Sequence, residues 1–236
     1  MKHLFLYVLG IYLVYKIFCW FPCFNRAKLS PSSLSIYYGA PGSGKTTYAA
    51  WLASVYLRSG IPVYSNVPIH GCLSINRSDL GKYSVIDGLV IIDEAGVEFN
   101  NRNTNSFSKS SGEQALLEWF KKHRHEGCEV VVFSQGFDDM DKKIRTLATN
   151  MYLVRRSFIP GCIVRKTIRK RPGIDEYTHK PDDLYDFVRL SGKRIWARSV
   201  WGSFDSFDRM QLPVKMFHRF GEDDREDVDR FNLRLL

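Results

Sequence analysis

The run Gly39-Ala40-Pro41-Gly42-Ser43-Gly44-Lys45-Thr46-Thr47 fits the pattern G-x-x-x-x-G-K-[ST], and few short motifs constrain a fold so tightly. Its glycines let the backbone curl so that successive N–H groups face a bound phosphate. Lys45 adds a positive charge, and the Thr46 hydroxyl suits a magnesium ion. Such a loop works only between a strand and a helix. Leu34-Ser35-Ile36-Tyr37-Tyr38 reads as the strand. Thr46 to Arg58 reads as the helix, with an apolar stripe through Ala49, Leu52, Ala53 and Tyr56 and a stop at Gly60. The expectation is ATP, with Mg2+, held over residues 39–47.

Downstream, Leu89-Val90-Ile91-Ile92 is a continuous apolar strand that ends in Asp93-Glu94. Ligands in open α/β sheets bind beyond the carboxyl ends of the strands, so Asp93 is expected to hold magnesium, directly or through water. Glu94 is then placed to polarise an attacking water, which marks a hydrolase rather than a small-molecule kinase. A third strand, Glu129 to Gln135, ends in an amide that could touch the γ-phosphate or orient the water. The catalytic expectation is Lys45, Glu94 and Gln135. The metal expectation is Thr46 and Asp93.

Strands alternating with helices argue for an α/β fold with a mainly parallel sheet, the architecture of P-loop NTPases. A chain of 236 residues suits one main domain with additions. We divide it into residues 1–28 as a membrane anchor and juxtamembrane segment, 29–180 as the P-loop ATPase domain, and 181–236 as a C-terminal accessory region. Leu4 to Tyr15 is nearly unbroken apolar, Lys16 interrupts it, and Ile17 to Phe21 resumes. About twenty apolar residues span a bilayer, so a retained transmembrane helix is expected, a single pass through the inner membrane with the ATPase domain in the cytoplasm. Arg26 and Lys28 after the segment, against Lys2 before it, set that orientation. A cleaved signal peptide lacks a small-residue cleavage site here, and a helix lying on the membrane surface is the remaining rival.

The formal charge of +9 is unevenly placed: from Lys142 to Arg171 there are ten cations and no acid. Met151–Arg156 and Cys162–Ile168 read as a hairpin around Ile159-Pro160-Gly161, a surface suited to nucleic-acid phosphates or an anionic membrane leaflet. The polar run Asn100 to Ser106 follows the two acids, and Ser110-x-x-Glu113 caps a further helix. Leu190-Ser191-Gly192-Lys193 reads as another hairpin turn. Five cysteines without a CxxC pair indicate neither a disulfide framework nor a zinc site, and His123 and His125 stand two residues apart, on different sides of a helix.

The GAPGSGKTTYAA loop, the YSNVP strand at Tyr64 to Pro68, LVIIDEAGVEFNNRN at Leu89 to Asn103, the KKHRHEGCEVVVFSQ run and the DMDKKIR segment together resemble the Zot-like family. That family comprises the zonular occludens toxin N-terminal domain and the filamentous-phage assembly ATPases. The resemblance covers roughly residues 35–175. It implies an inner-membrane ATPase that extrudes single-stranded DNA phage, within the FtsK/HerA class of ring-forming DNA motors. The implied partners are other copies of the chain in a ring, single-stranded DNA or phage capsid proteins, and the membrane. The best-known layout puts the ATPase before the span. Here the apolar segment comes first, and with no later span nothing is expected to reach the periplasm. A DNA-packaging or conjugation-type translocase, and a nucleotide-switched membrane scaffold, remain as alternatives. Motors of this class take an arginine from a neighbouring subunit, and Arg102 and Arg124 are the candidates.

Overall fold

Strand β1 (Leu34–Tyr38) is buried at every position, and the alternation of its side chains divides the core in two. Leu34, Ile36 and Tyr38 enter one apolar layer with Val90, Ile92, Val130 and Val132. Tyr37 enters the other with Leu89, Ile91, Val131 and Phe133, against helix α2 (Lys45–Arg58). A sheet covered on both faces needs apolar residues at successive positions, which is why Leu89–Ile92 and residues 130–133 read as unbroken apolar runs. This computed structural model describes residues 2–76, 79–93, 118–137, 140, 142–174, 181–189 and 191–204.

In chain order, β1 and α2 are preceded by helix α1 (Lys2–Phe18) and followed by β2 (Val63–Ser65), β3 (Leu73–Ser74), β4 (Leu89–Ile92) and β5 (Glu129–Ser134). Helix α3 (Lys142–Leu147), β6 (Asn150–Arg156), β7 (Cys162–Ile174), β8 (Pro181–Phe187) and β9 (Lys193–Trp196) come later in the chain. The sheet order is β3-β2-β4-β5-β1-β6-β7-β8, with β9 also on β7. From β3 to β6 every neighbour is parallel, and β7 turns the sheet antiparallel. The fold is therefore the mixed, mostly parallel α/β sheet of a P-loop NTPase type. Strands β8 and β9 both run antiparallel to β7, pairing Ile168–Ile174 and Cys162–Arg165 in turn. They are two parts of one interrupted strand. The Ser191–Lys193 segment is thus an excursion and not a hairpin turn, and the Ser191 hydroxyl accepts the Thr167 N–H at 2.9 Å where a backbone carbonyl is missing.

The N-terminal segment departs from its expected role. Helix α1 ends at Phe18, so its 17 residues span about 25 Å at 1.5 Å each, short of a hydrocarbon core of about 30 Å. Among the described residues no helix is long and apolar enough to cross a membrane. The expected transmembrane helix, and with it the single-pass inner-membrane location with a cytoplasmic ATPase domain, is corrected accordingly. The apolar run that continues past Phe18 belongs to the folded unit instead. The Trp20 carbonyl accepts the indole N–H of Trp51 at 3.0 Å and the backbone N–H of Trp196 at 2.9 Å, and the Phe21 ring lies 6.2 Å from that of Trp196.

At the opposite end of the sheet from this dock, Glu129 at the start of β5 accepts hydrogen bonds from the Tyr56 hydroxyl at 2.8 Å and the Ser30 N–H at 3.0 Å. Burial pushes its carboxyl above the usual 4.5, and the two donors offset part of that rise. A raised carboxylate favours the protonated folded state. Its stabilising contribution is complete below about pH 4.5 and is lost as pH rises through the folded value. Glu129→Gln keeps the acceptor and loses the titration. Thermal melts across this acidic window should show a parent whose stability falls relative to the variant with rising pH; parallel curves would contradict the assignment.

Candidate functional site

The loop between β1 and α2 is held in shape by contacts that tolerate no larger residue. A Cβ at Gly39 would meet the Ser43 Oγ at 2.5 Å and the Val154 carbonyl at 2.6 Å. Gly44 takes φ +95°, a left-handed conformation, and a Cβ there would meet the Ile163 Cδ1 at 2.5 Å. The Gly39 N–H donates to the Ser134 carbonyl at 3.2 Å, tying the start of the loop to the end of β5. Lys45 is buried, and its ammonium donates to the Gly39 carbonyl at 2.7 Å and the Ala40 carbonyl at 3.2 Å. The Ser43 hydroxyl is buried with no hydrogen-bond partner. A cradle that only glycine fits, one orphaned hydroxyl and an ammonium held beside the loop fit a polyphosphate.

Thr46, in the first turn of α2, donates its hydroxyl to the Asp93 carboxylate at 2.6 Å. The register explains how two residues far apart in sequence meet. Strand β5 separates β1 from β4, all three are parallel, and the loop and Asp93 therefore leave the same end of the sheet. Asp93 is itself fixed by Asn66, which follows β2. The Asn66 side chain accepts the Asp93 N–H at 2.7 Å and donates to the Asp93 carbonyl at 2.9 Å. Asn66 was not singled out from the sequence, and no local signal marks it, since its role depends on β2 lying beside β4. A hydroxyl and a buried carboxylate in direct contact form an oxygen pair suited to a hard divalent cation.

Gln135 lies one residue past β5, at this same end, and is exposed. Glu94 and Arg102 lie outside the described residues, as do the polar run at residues 100–106 and the cap at Ser110. Arg124 does not reach the nucleotide edge. It sits in the 3-10 helix His123–Glu126 just ahead of β5, and because β5 is parallel to β1 that short helix stands at the far end of the sheet. His123 in that helix is buried and His125 exposed, so the two imidazoles are parted. The guanidinium that does meet the loop is Arg156, at the end of β6, whose Nε donates to the Gly42 carbonyl at 2.8 Å.

Beneath the loop the rings of Phe133, Tyr37, Tyr48 and Tyr152 form a cluster, with Tyr37 centred 5.0, 5.3 and 4.8 Å from the other three. The Arg165 guanidinium lies 4.1 Å over the Tyr152 ring. Burial pushes the phenols of Tyr37 and Tyr48 up, so both stay neutral. Burial, with the like charge of Arg165 adding to it, pulls the Lys193 ammonium down. The cluster locks β1 and α2 to the antiparallel extension, so the loop is anchored on three elements.

Residues 71–180 match the family model of Zonular occludens toxin (Zot). Over these residues the chain resembles Zot. The match takes in Asp93, Gln135, Arg156 and the β6–β7 pair, and the phosphate loop precedes it. Gene 1 protein of Enterobacteria phage I2-2 is 33% identical over 84 residues, 35% of this chain and 22% of that protein. Gene 1 protein of Enterobacteria phage f1 is 30% identical over 89 residues, 37% of this chain and 24% of that protein. The chain thus spans less than a quarter of the length of these phage relatives. Among solved structures, the N-terminal domain of zonular occludens toxin from Neisseria meningitidis is 19% identical, with 75% of this chain and all of that one aligned at a TM-score of 0.49. The genome packaging NTPase B204 from Sulfolobus turreted icosahedral virus 2, in complex with ATP-gammaS, is 12% identical at a TM-score of 0.39, covering 66% of this chain and 98% of that one.

The Asn66 bridge has a measurable consequence for stability. Asn66→Leu removes both bonds to the Asp93 backbone and is expected to cost about 1–3 kcal/mol in urea unfolding. An unchanged midpoint and slope would show that Asp93 is held by something else.

Proposed function

We propose that this chain is an ATP hydrolase of the Zot-like type that drives assembly and extrusion of single-stranded DNA phage. The observation that carries the reading is the apposition of Thr46 and Asp93, 2.6 Å apart, at the mouth of a glycine-bound loop that also holds Lys45. When bound, ATP supplies the phosphoryl group to be transferred and magnesium neutralises charge on its oxygens. The loop N–H groups and Lys45 bind and orient the phosphates. For the ammonium this is an exchange of the Gly39 and Ala40 carbonyls for stronger, charged acceptors. Thr46 and Asp93 hold the metal, and Asn66 keeps the Asp93 backbone in place. Glu94, the next residue, takes the proton of the attacking water, and Gln135 at the neighbouring strand end orients that water. Arg156 adds positive charge beside Gly42 from within the same chain. The part that the chain plays in phage assembly, the polymer it moves and its association into a ring rest on the kinship with Gene 1 proteins.

Turnover of the full chain by phosphate release, with and without single-stranded DNA, tests this. Lys45→Ala is expected to reduce the rate to background. Glu94→Gln should still bind ATP while hydrolysis falls by about 10²-fold or more, since only the water-activating carboxylate is lost. Parent-like hydrolysis in either variant would overturn the assignment.

A further inference from the structure

The end of the sheet that carries the loop has a second feature. The turn at residues 157–161 joins β6 to β7, and the 3-10 helix Ala197–Ser203 follows β9, whose Trp196 pairs with Cys162 at the start of β7. Because β6 is parallel to β1, that turn and that helix stand at the same end as Gly39 to Thr46. Two aromatic rings stand in solvent there: Phe158 is 84% exposed and Trp201 55% exposed. Each is paired with a guanidinium. Arg194 lies 5.4 Å over the Phe158 ring and Arg198 lies 5.5 Å over the Trp201 ring. The Arg198 Cδ also lies 3.6 Å from where a Cβ of Gly161 would stand, so the second pair borders the turn that carries the first. Arg155 and Arg156, at the end of β6 and so at this same end of the sheet, are exposed.

Tyr37, Tyr48 and Phe133 are buried, and of the rings that stand in solvent, Tyr83 and Phe187 among them, Phe158 and Trp201 are set apart by the guanidinium over each. Two rings left in water, each under an arginine, therefore call for a ligand with flat faces and negative charge. No acid occurs in residues 142–174 or 191–204, so nothing within these segments neutralises the arginines. We propose that this end of the sheet is a platform for single-stranded nucleic acid, with bases stacking on Phe158 and Trp201 and phosphates on Arg155, Arg194 and Arg198. A duplex fits poorly, because its bases are already stacked on one another and offer no face to Phe158. The platform touches the phosphate loop in two places. Arg156 donates to the Gly42 carbonyl, and Ile163, just past the turn, closes against Gly44. Occupancy of the strand and of the loop can therefore act on each other through contacts of a single side chain each. The inference deepens the partner named under the proposed function, and its test is read without nucleotide so that the two stand or fall separately.

Fluorescence anisotropy of a labelled oligothymidylate against the full chain, with no nucleotide present, reads the platform directly. Phe158→Ala and Trp201→Ala are each expected to weaken binding about 5- to 100-fold, the loss of one stacked base. Phe158→Tyr should restore most of the affinity, and Phe158→Leu, which keeps an apolar side chain without a π face, should not. Arg194→Ala and Arg198→Ala should each lower the slope of log affinity against log salt by about 0.7. A duplex of matched length should bind more weakly and be indifferent to the aromatic variants. Parent-like affinity in the Phe158→Ala/Trp201→Ala double variant, or equal losses on duplex and single strand, would overturn the proposal. The ring exposures mean that either substitution leaves the core untouched, and a parent-like thermal melt verifies it.

Discussion

The hydrogen bond from Thr46 to Asp93 crosses the width of one strand, and most of the molecule is arranged so that it can form. It needs β1, β5 and β4 to be parallel and adjacent, because only then do the helix that starts after β1 and the acid that ends β4 leave the sheet together. It needs both sheet faces buried, which accounts for the apolar layers on either side of β1, β4 and β5. It needs Asp93 to be fixed from the other side, which Asn66 does with two backbone contacts. Burial of Asp93 strengthens the contact by limiting the water that would otherwise compete for its carboxylate.

What could be read from the sequence follows from the range of the forces involved. The loop, β1, α2 and β5 were legible because their signals are local: glycine geometry, short mostly apolar runs and helix-forming composition. Helix α2 begins one residue earlier than expected, at Lys45, since Gly44 in its left-handed conformation serves as the cap. Asn66 was illegible because its role depends on β2 lying beside β4, a non-local pairing that two short strands barely announce. The Ser191–Lys193 segment misled for a related reason. Turn-forming residues mark a break in a strand equally well whether the chain reverses or resumes, and only the shared partner β7 distinguishes the two.

The N-terminal segment shows how one apolar run can divide between two roles. Hydropathy joins Leu4 to Phe21, yet the helix stops at Phe18 and the aromatic residues after it are drawn to Trp51 and Trp196 by hydrogen bonds that a longer helix would forfeit. Positive charge tells a similar story. The run from Lys142 to Arg171 was legible as a basic surface, but its members are put to different uses: Arg165 goes under the loop onto Tyr152, Arg156 goes onto Gly42, and Arg155 stays in solvent. A charge count sees one patch where the strand alternation makes two faces.

The central claim is that Thr46 and Asp93 hold one and the same cation beside the phosphate loop. A double-mutant cycle on magnesium-dependent ATP affinity, measured by titration calorimetry with Thr46→Val and Asp93→Asn, tests it most directly. The account predicts that each single change removes most of the magnesium-dependent gain in affinity and that the double variant is no worse than the poorer single one. Losses that simply add, or a magnesium dependence that survives in both single variants, would contradict it.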